Sequence, residues 1–147
     1  GLTVKPILLI SGPNLNLLGE REPEIYGEST LSDYVNIAES TAAELGYELI
    51  HRQYNDEGSI VEEIHAARST YQGIVINPGA LTHYGWSIHD ALAAYDGPVV
   101  ELHISNPNAR EPWRHTSVVA PVATGSIVGF GGYGYKLAIH AIVDALK

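Results

Sequence analysis

The sequence has no cysteine, and this absence excludes several kinds of chemistry at once. Without thiols the chain cannot form disulfides, zinc ribbons or iron–sulfur clusters, and it has no thiol nucleophile. Only 17% of its residues are charged, against about 25% in a typical soluble domain. Because so few charges would leave a monomer with an unusually apolar surface, we expect a large subunit interface and therefore an oligomer.

Positive charges and long apolar runs are also scarce. Eight basic residues against 17 acidic ones give a formal net charge of −9, which argues against nucleic acid as a partner. No apolar run approaches the roughly 18–20 residues that span a bilayer, and no secretion signal is evident, so we expect a cytoplasmic protein with no membrane partner. The 147 residues suffice for one domain with its own core.

Short apolar strands alternate with amphipathic helices along the chain. The predicted strands are residues 6–10, 47–53, 73–77, 98–104 and 126–129, and the predicted helices are residues 31–45, 58–71, 87–94 and 135–146. Thr30 and Asp33 have the spacing of a capping box at the start of the first helix. This alternation predicts an α/β fold, a flavodoxin-like, doubly wound parallel sheet of five strands in three αβα layers.

Polar side chains follow the predicted strands at the points where the strands end. They are Asn14, Gln53, Asn55, Asn77, His103 and Ser105. Open parallel sheets bind ligands beyond the carboxyl ends of their strands. Polar residues occur at strand ends in any fold, but four amides and a histidine exceed what that alone explains. We therefore predict a functional site at this edge.

Glu101 and His103 are two residues apart on an otherwise apolar strand, so their side chains project from the same face. A buried carboxylate needs a partner. By accepting a proton from the ring, Glu101 would fix the tautomer of His103 and favour its imidazolium form. A histidine oriented in this way suits general acid catalysis. A purely structural Glu–His bond is the alternative.

Two further groups of residues combine a cation with a possible partner. Arg21 and Tyr26 lie in a long polar loop, where a guanidinium within about 4–6 Å would favour an ionised phenol. The alternative is that both are ordinary loop residues without a functional role. Arg110 and Arg114 follow the fourth strand and predict an anchor for a carboxylate or phosphate. A salt bridge at the surface or at an interface explains that pair equally well.

Three familiar patterns do not apply. Gly129–Gly134 fits G-x-G-x-x-G, but it follows the last strand and no acidic ribose contact lies about 20 residues further on, so we expect tight turns and close helix packing instead. The histidines show no metal-ligand spacing, which predicts no metal site. No G-x-S-x-G motif indicates a hydrolase.

Motifs in a fixed order connect these groups. They are Gly12–Gly19 (GPNLNLLG), Arg21–Pro23, Tyr26–Gly27, Ile76–Ala80, Thr82–His83, His103–Asn106, Ala109–Glu111 and Arg114–His115. From about Ile7 onward the chain closely resembles the type II 3-dehydroquinate dehydratases, also called type II dehydroquinases. The resemblance implies a lyase that dehydrates 3-dehydroquinate to 3-dehydroshikimate without a cofactor, in the shikimate pathway. It also implies a homo-dodecamer built as a tetramer of trimers.

The resemblance further implies a role for each matched catalytic residue. Tyr26 matches the base that removes the C2 proton, and Arg21 matches the loop arginine that holds it ionised. Asn14 matches the amide that stabilises an enolate through a bound water. His103 matches the acid that protonates the departing C1 hydroxyl, with Glu101 orienting it.

The same resemblance implies the substrate contacts and the domain organisation. Asp90 matches an acid that reaches a neighbouring subunit's site, and Arg110 occupies a supporting position. Residues 1–147 form a single catalytic domain with an active-site lid loop around residues 19–28. The matched substrate contacts are Asn77, His83, Asp90, Ile104, Ser105 and Arg114.

Two other classes of protein remain open at this stage. One is a flavodoxin-like module that binds FMN or another phosphate ligand, although Pro13 and Leu15 make the loop after the first strand a poor phosphate cradle. The other is a catalytically inactive scaffold that keeps only the oligomer. The chain departs from the family pattern at positions that bear on subunit contacts and remove no matched catalytic group: Tyr54, Asp56, Tyr84, Gly85, Trp86 and His89.

Overall fold

Five parallel strands form one sheet in the computed structural model, which describes residues 4–20 and 22–147. The strands are β1 (Ile7–Ser11), β2 (Leu49–Gln53), β3 (Gly73–Asn77), β4 (Val99–His103) and β5 (Gly125–Val128). Their order in the sheet is β2-β1-β3-β4-β5, with every neighbouring pair parallel. Because β2 and β3 lie on opposite sides of β1, the chain reverses its direction of winding there, and this switch point is where such sheets bind ligands.

Helices cover both faces of the sheet. Side chains that alternate along β1 enter two separate cores. Ile7 and Leu9 pack with α2 (Leu31–Glu44) and α5 (Tyr133–Ala145). Leu8 and Ile10 pack with α3 (Glu57–Thr70) and α4 (Trp86–Ala93). The result is the predicted three-layer αβα arrangement. The helices are α1 (Pro23–Tyr26), α2 (Leu31–Glu44), α3 (Glu57–Thr70), α4 (Trp86–Ala93) and α5 (Tyr133–Ala145). In the part of the chain described, none of them has the length and hydropathy of a membrane-crossing helix.

The predicted strands and the four predicted helices are confirmed to within two residues at each end. The capping box is also confirmed. The Thr30 hydroxyl accepts the Asp33 backbone N–H at 3.2 Å, and the Asp33 carboxylate accepts the Thr30 N–H at 2.9 Å. The long polar stretch before Thr30 differs from the prediction, because it contains α1 and a 3₁₀ turn at Leu15–Leu17. Such short helices are missed because three or four residues show no periodicity.

Glycines permit two close approaches that shape the site. A Cβ on Gly12 would lie 2.5 Å from the Pro78 carbonyl oxygen, so the turns after β1 and β3 touch each other. In the glycine-rich segment before α5, Gly129 and Gly131 have positive φ angles of 88° and 58°. A Cβ on Gly132 would lie 2.4 Å from the Tyr34 ring. This segment therefore makes the tight turns and close helix packing that we expected of it.

Candidate active site

A cavity of about 200 Å³ opens beyond the carboxyl ends of β1, β3 and β4, at the edge where the sequence predicted a site. This volume is smaller than the roughly 300 Å³ at which pockets for drug-sized ligands begin, so the cavity suits a compact molecule. Nine of the predicted site residues line it: Asn14, Tyr26, Asn77, His83, His103, Ile104, Ser105, Arg110 and Arg114.

A network of amides holds Asn14 at the cavity wall. Asn14 has a left-handed backbone conformation with φ 68°, which asparagine tolerates better than most residues. Its backbone N–H donates to the Asn55 side-chain oxygen at 3.1 Å. Gln53 donates to that same oxygen at 3.0 Å and to the Gly12 carbonyl at 3.1 Å. Gln53 and Asn55 therefore support the turn and do not line the cavity.

The Tyr26 phenol is in contact with a guanidinium. Arg110 Nη1 donates to Tyr26 Oη at 2.8 Å and to the Ser105 hydroxyl at 3.2 Å. Arg110 Nη2 lies 3.5 Å from the Glu22 carboxylate. The phenol oxygen therefore accepts a hydrogen bond from a charged donor. Arg21, the partner predicted from the sequence, lies outside the described residues.

The backbone of Tyr26 is tied to the helical layer beneath it. The Tyr34 hydroxyl, on α2, donates to the Tyr26 carbonyl at 3.2 Å. The Tyr34 ring stacks on the Tyr135 ring of α5, with centroids 5.2 Å apart and planes 8° from parallel. Both rings are buried, so the backbone of Tyr26 is hydrogen-bonded to one member of a packed pair of aromatic side chains.

On β4, His103 and Glu101 form the predicted pair. His103 Nε2 and Glu101 Oε2 are 2.6 Å apart, and Glu101 is only 2% exposed. Burial acts to raise the pKa of Glu101, but hydrogen bonds from His103, Thr82 and Ser117 outweigh it and hold the pKa below its ordinary value. Glu101 is thus an ionised acceptor, which places the proton on His103 Nε2 and leaves Nδ1 for a ligand.

His83 offers an acceptor on another wall of the cavity. Its Nδ1 donates to the Thr116 carbonyl at 2.7 Å. Burial lowers the pKa of His83, although the bond to Thr116 opposes this shift, and the ring is therefore neutral near pH 7. A neutral ring that donates from Nδ1 has a lone pair on Nε2. His83 can therefore accept a hydrogen bond from a ligand hydroxyl.

Arg114 makes the salt bridge that was one of the two alternatives from the sequence, and its role as an anchor for an anion stays a prediction. Its Nε donates to the Glu111 carboxylate at 3.1 Å, and its guanidinium lies 4.0 Å from the centroid of the Trp113 ring. The same side chain lines the cavity. A salt bridge and a stacked ring hold this guanidinium in place, while its remaining donors can bind a carboxylate.

The sequence of the chain matches a known protein family over nearly its whole length. The sequence model of the family described as Dehydroquinase class II matches residues 5–143. The chain belongs to the class II dehydroquinases, the enzymes also called type II 3-dehydroquinate dehydratases. This result confirms the family and the enzyme class that the motifs indicated.

Individual relatives match the chain over nearly its whole length. It is 51% identical over 140 residues to a 3-dehydroquinate dehydratase of Anoxybacillus flavithermus, with 95% of each chain covered. It is 56% identical over 143 residues to a catabolic 3-dehydroquinase of Aspergillus oryzae, covering 97% of this chain and 94% of the relative. A solved type II dehydroquinase from Butyrivibrio crossotus superposes with a TM-score of 0.92 at 45% identity, covering 95% of this chain and 98% of that one.

Other residues of this class II dehydroquinase lie outside the cavity or have partners that the sequence did not predict. Asp90 is exposed on α4 and does not line the cavity of its own chain, so its reach into a neighbouring subunit stays a prediction. Sequence reasoning did not predict that Thr82 and Ser117 bind Glu101, or that Glu22 pairs with Arg110. Thr82 and Ser117 stand in or beside matched motifs, but 35 residues separate them, and only the fold brings them together.

Proposed function

We propose that this chain dehydrates 3-dehydroquinate to 3-dehydroshikimate through an enolate intermediate, as a step of the shikimate pathway. One observation supports this most directly: the Tyr26 phenol bound by Arg110 and the His103 ring bound by Glu101 line the same cavity. The reaction removes a proton next to a ketone and expels a β-hydroxyl. It therefore needs a base and an acid, and these two groups can supply them.

Tyr26, as a phenolate, takes the proton from C2 of the substrate. The electron pair of the broken C–H bond moves towards the C3 carbonyl and leaves the charge on its oxygen, which forms the enolate. Asn14 stabilises this oxygen through a bound water, because a donor placed where charge develops lowers the barrier. The guanidinium of Arg110, 2.8 Å from the phenol oxygen, stabilises the phenolate, and Arg21 shares that role.

His103 completes the elimination. As the enolate returns to a ketone, the C1–C2 double bond forms and the C1–O bond breaks. The departing hydroxyl takes the Nδ1 proton of the His103 imidazolium and leaves as water, while the Nε2 proton stays on the hydrogen bond to Glu101. Glu101 remains ionised throughout and orients the ring. Exchange of protons with solvent then returns Tyr26 and His103 to their starting states.

The other cavity residues hold the substrate. Arg114 and the Ile104–Ser105 backbone bind its carboxylate and hydroxyl groups, and Asn77 and His83 bind further hydroxyls. Residues 19–28 act as a lid that excludes water from the enolate. The helix α1, within that segment, already brings Tyr26 to the cavity wall.

We further propose that twelve copies assemble as a tetramer of trimers, with Asp90 of one subunit reaching the site of the next. Two observations support an assembly: charged residues make up only 17% of the chain, and large aromatic side chains stand about 60% exposed. Sedimentation should give a particle of about 190 kDa for twelve 15.8 kDa chains. The aromatic residues concerned are Tyr84, Trp86, Phe130 and Tyr133.

Turnover of 3-dehydroquinate by the purified protein, followed by the enone absorbance of the product, tests the reaction. Tyr26→Phe should lower kcat by roughly 10²–10⁴-fold, the usual contribution of a general base, while substrate binding by calorimetry persists. His103→Ala should abolish loss of hydroxide but still allow exchange of the C2 proton with solvent deuterium. Near-normal turnover by Tyr26→Phe would rule out the phenolate base, and equal loss of both steps in His103→Ala would rule out a separate acid.

Growth without aromatic amino acids tests the pathway. A bacterial strain that lacks its own dehydroquinase should grow on minimal medium when it expresses this chain, and should not grow when it expresses Tyr26→Phe. Because the Aspergillus oryzae relative is named as a catabolic enzyme, growth on quinate as the carbon source should be measured beside it.

A further inference from the structure

Two hydroxyl groups bind the Glu101 carboxylate at 2.5–2.9 Å in addition to His103, and a third, that of Ser126, lies 3.5 Å away. Thr82, in the 3₁₀ turn Gly79–His83 after β3, donates from Oγ1 to Glu101 Oε2 at 2.5 Å. Ser117 lies on the loop after Arg114, and its Oγ is 2.9 Å from both oxygens of the carboxylate. Thr82 is 1% exposed and Glu101 2% exposed, so the bond between them is buried, whereas Ser117 is partly buried.

The geometry fixes the direction in which the Ser117 proton points. Ser117 Oγ accepts the backbone N–H of Val119 at 3.1 Å and that of Ala120 at 2.9 Å. These two bonds use both lone pairs of the oxygen, so Ser117 acts as a donor, and the Glu101 oxygens at 2.9 Å are nearer acceptors than Thr82 Oγ1 at 3.1 Å. Thr82 likewise has one proton, and its short bond directs that proton to the same carboxylate. We call Thr82 and Ser117 the hydroxyl clamp.

We propose that Thr82 and Ser117 are positioning residues, which lock the Glu101 carboxylate in the rotamer that aims the His103 ring into the cavity. This inference rests on the proposed function, in which His103 is the acid. A carboxylate bound by His103 alone could rotate and let the ring turn with it. With the clamp in place, Glu101 Oε2 accepts from Thr82 and His103 together, so the ring is held with Nδ1 free for the leaving hydroxyl.

A double-mutant cycle tests whether the clamp acts through Glu101. Thr82→Val keeps the shape of the side chain and removes only its hydroxyl, so we expect kcat to fall about 10-fold with KM changed less than twofold. Thr82→Ser should restore most of the activity. In a Glu101→Gln background the same Thr82→Val change should cost less than twofold, because its effect passes through the carboxylate. Ser117→Ala should follow the same pattern, but it also removes a backbone acceptor, so Thr82→Val is the decisive variant.

Thr41→Val is the matched control. Thr41 is also buried, and its hydroxyl donates to a backbone carbonyl, that of Ile37, at 2.8 Å in α2. This variant should lose a similar amount of stability and keep full kcat. A fall in kcat for Thr82→Val no larger than for Thr41→Val would overturn the proposal. An equal fall in both Glu101 backgrounds would also overturn it.

A second readout does not depend on turnover. The ¹⁵N chemical shifts of the His103 ring report whether each nitrogen carries a proton. In the wild type they should show a single ring state at each pH, with Nε2 protonated throughout and Nδ1 protonated in the imidazolium form that acts as the acid. Thr82→Val should broaden or average these signals, whereas Thr41→Val should not. Unchanged signals in Thr82→Val would contradict the proposal. If wild-type protein shows no turnover of 3-dehydroquinate, the proposed function fails, and the ring signals still decide whether the clamp orients His103.

Discussion

Replacing Tyr34 with phenylalanine should weaken catalysis although this residue lies beneath the cavity and does not line it. The change removes one oxygen, which donates to the Tyr26 carbonyl at 3.2 Å, and keeps the ring that stacks on Tyr135. A hydrogen bond of this kind contributes about 0.5–1.5 kcal/mol. This energy is equivalent to a roughly 2- to 13-fold change in an equilibrium constant.

The equilibrium concerned is the one between Tyr26 in place at the cavity and Tyr26 displaced with its segment. Because kcat/KM refers to the free enzyme, in which no substrate holds the segment, we expect kcat/KM to fall by up to about 10-fold in Tyr34→Phe. Amide hydrogen exchange in residues 22–30 should become faster, since α1 loses its tie to α2.

Tyr95→Phe provides the control for this prediction. Tyr95 is 7% exposed against 6% for Tyr34, and its hydroxyl also donates to a backbone carbonyl, that of Tyr71, at 2.8 Å. It lies in the other core, away from the Tyr26 segment. Both variants should lower the thermal midpoint by a similar amount, but only Tyr34→Phe should lower kcat/KM. If Tyr34→Phe has a kcat/KM no lower than that of Tyr95→Phe, the hydrogen bond between Tyr34 and Tyr26 has no catalytic role.

Two further predictions concern stability. Gly12→Ala places a Cβ 2.5 Å from the Pro78 carbonyl oxygen and should lower the free energy of unfolding, measured with denaturant, by about 1–3 kcal/mol. Gly58→Ala, in α3, is the control: its Cβ would meet nothing closer than 3.7 Å, and it should raise the free energy of unfolding by about 0.5–1 kcal/mol. Equal effects of the two changes would contradict the close approach at Gly12. Because the pKa of Glu101 is lowered on folding, its contribution is present above the ordinary value of 4.5 and is lost as the pH falls through the lower native value. The thermal midpoint of the wild type should therefore fall more steeply below pH 4.5 than that of Glu101→Gln, and parallel curves would refute this.

The fold could be predicted from the sequence because each of its elements is long enough to show a pattern. Buried runs such as Ile7–Ile10 indicate strands of a parallel sheet, and the stripe along residues 31–45 indicates a helix that covers it. The alternation of these elements predicts the flavodoxin-like order of the sheet, which is confirmed. By contrast, α1 is a single turn of helix that begins at Pro23. Tyr26, at the end of this turn, accepts a hydrogen bond from Tyr34, and no local sequence pattern predicts that contact.

The walls of the candidate site could be predicted, but the pairing of its charges could not. Asn77 and His103 end neighbouring strands, and parallel topology alone places both at one edge of the sheet. For Tyr26, nearness in sequence suggested Arg21 as the cation, and this pairing stays a prediction because Arg21 lies outside the described residues. Arg110, 84 residues away in the chain and in the loop after β4, also lies 2.8 Å from the phenol oxygen. Sequence separation contains no information about such a contact.

The distribution of charge explains how an acidic chain can serve an anionic substrate. The net charge is −9, yet the charged side chains that line the cavity among the described residues are the cations Arg110 and Arg114. Glu22 and Glu111 pair with these arginines from outside the lining, at 3.5 and 3.1 Å. A carboxylate that enters the cavity therefore meets two guanidinium groups, and the buried Glu101 behind His103 is itself bound by hydrogen bonds from His103, Thr82 and Ser117. The local arrangement of charge, and not the total, determines which ligand the cavity can bind.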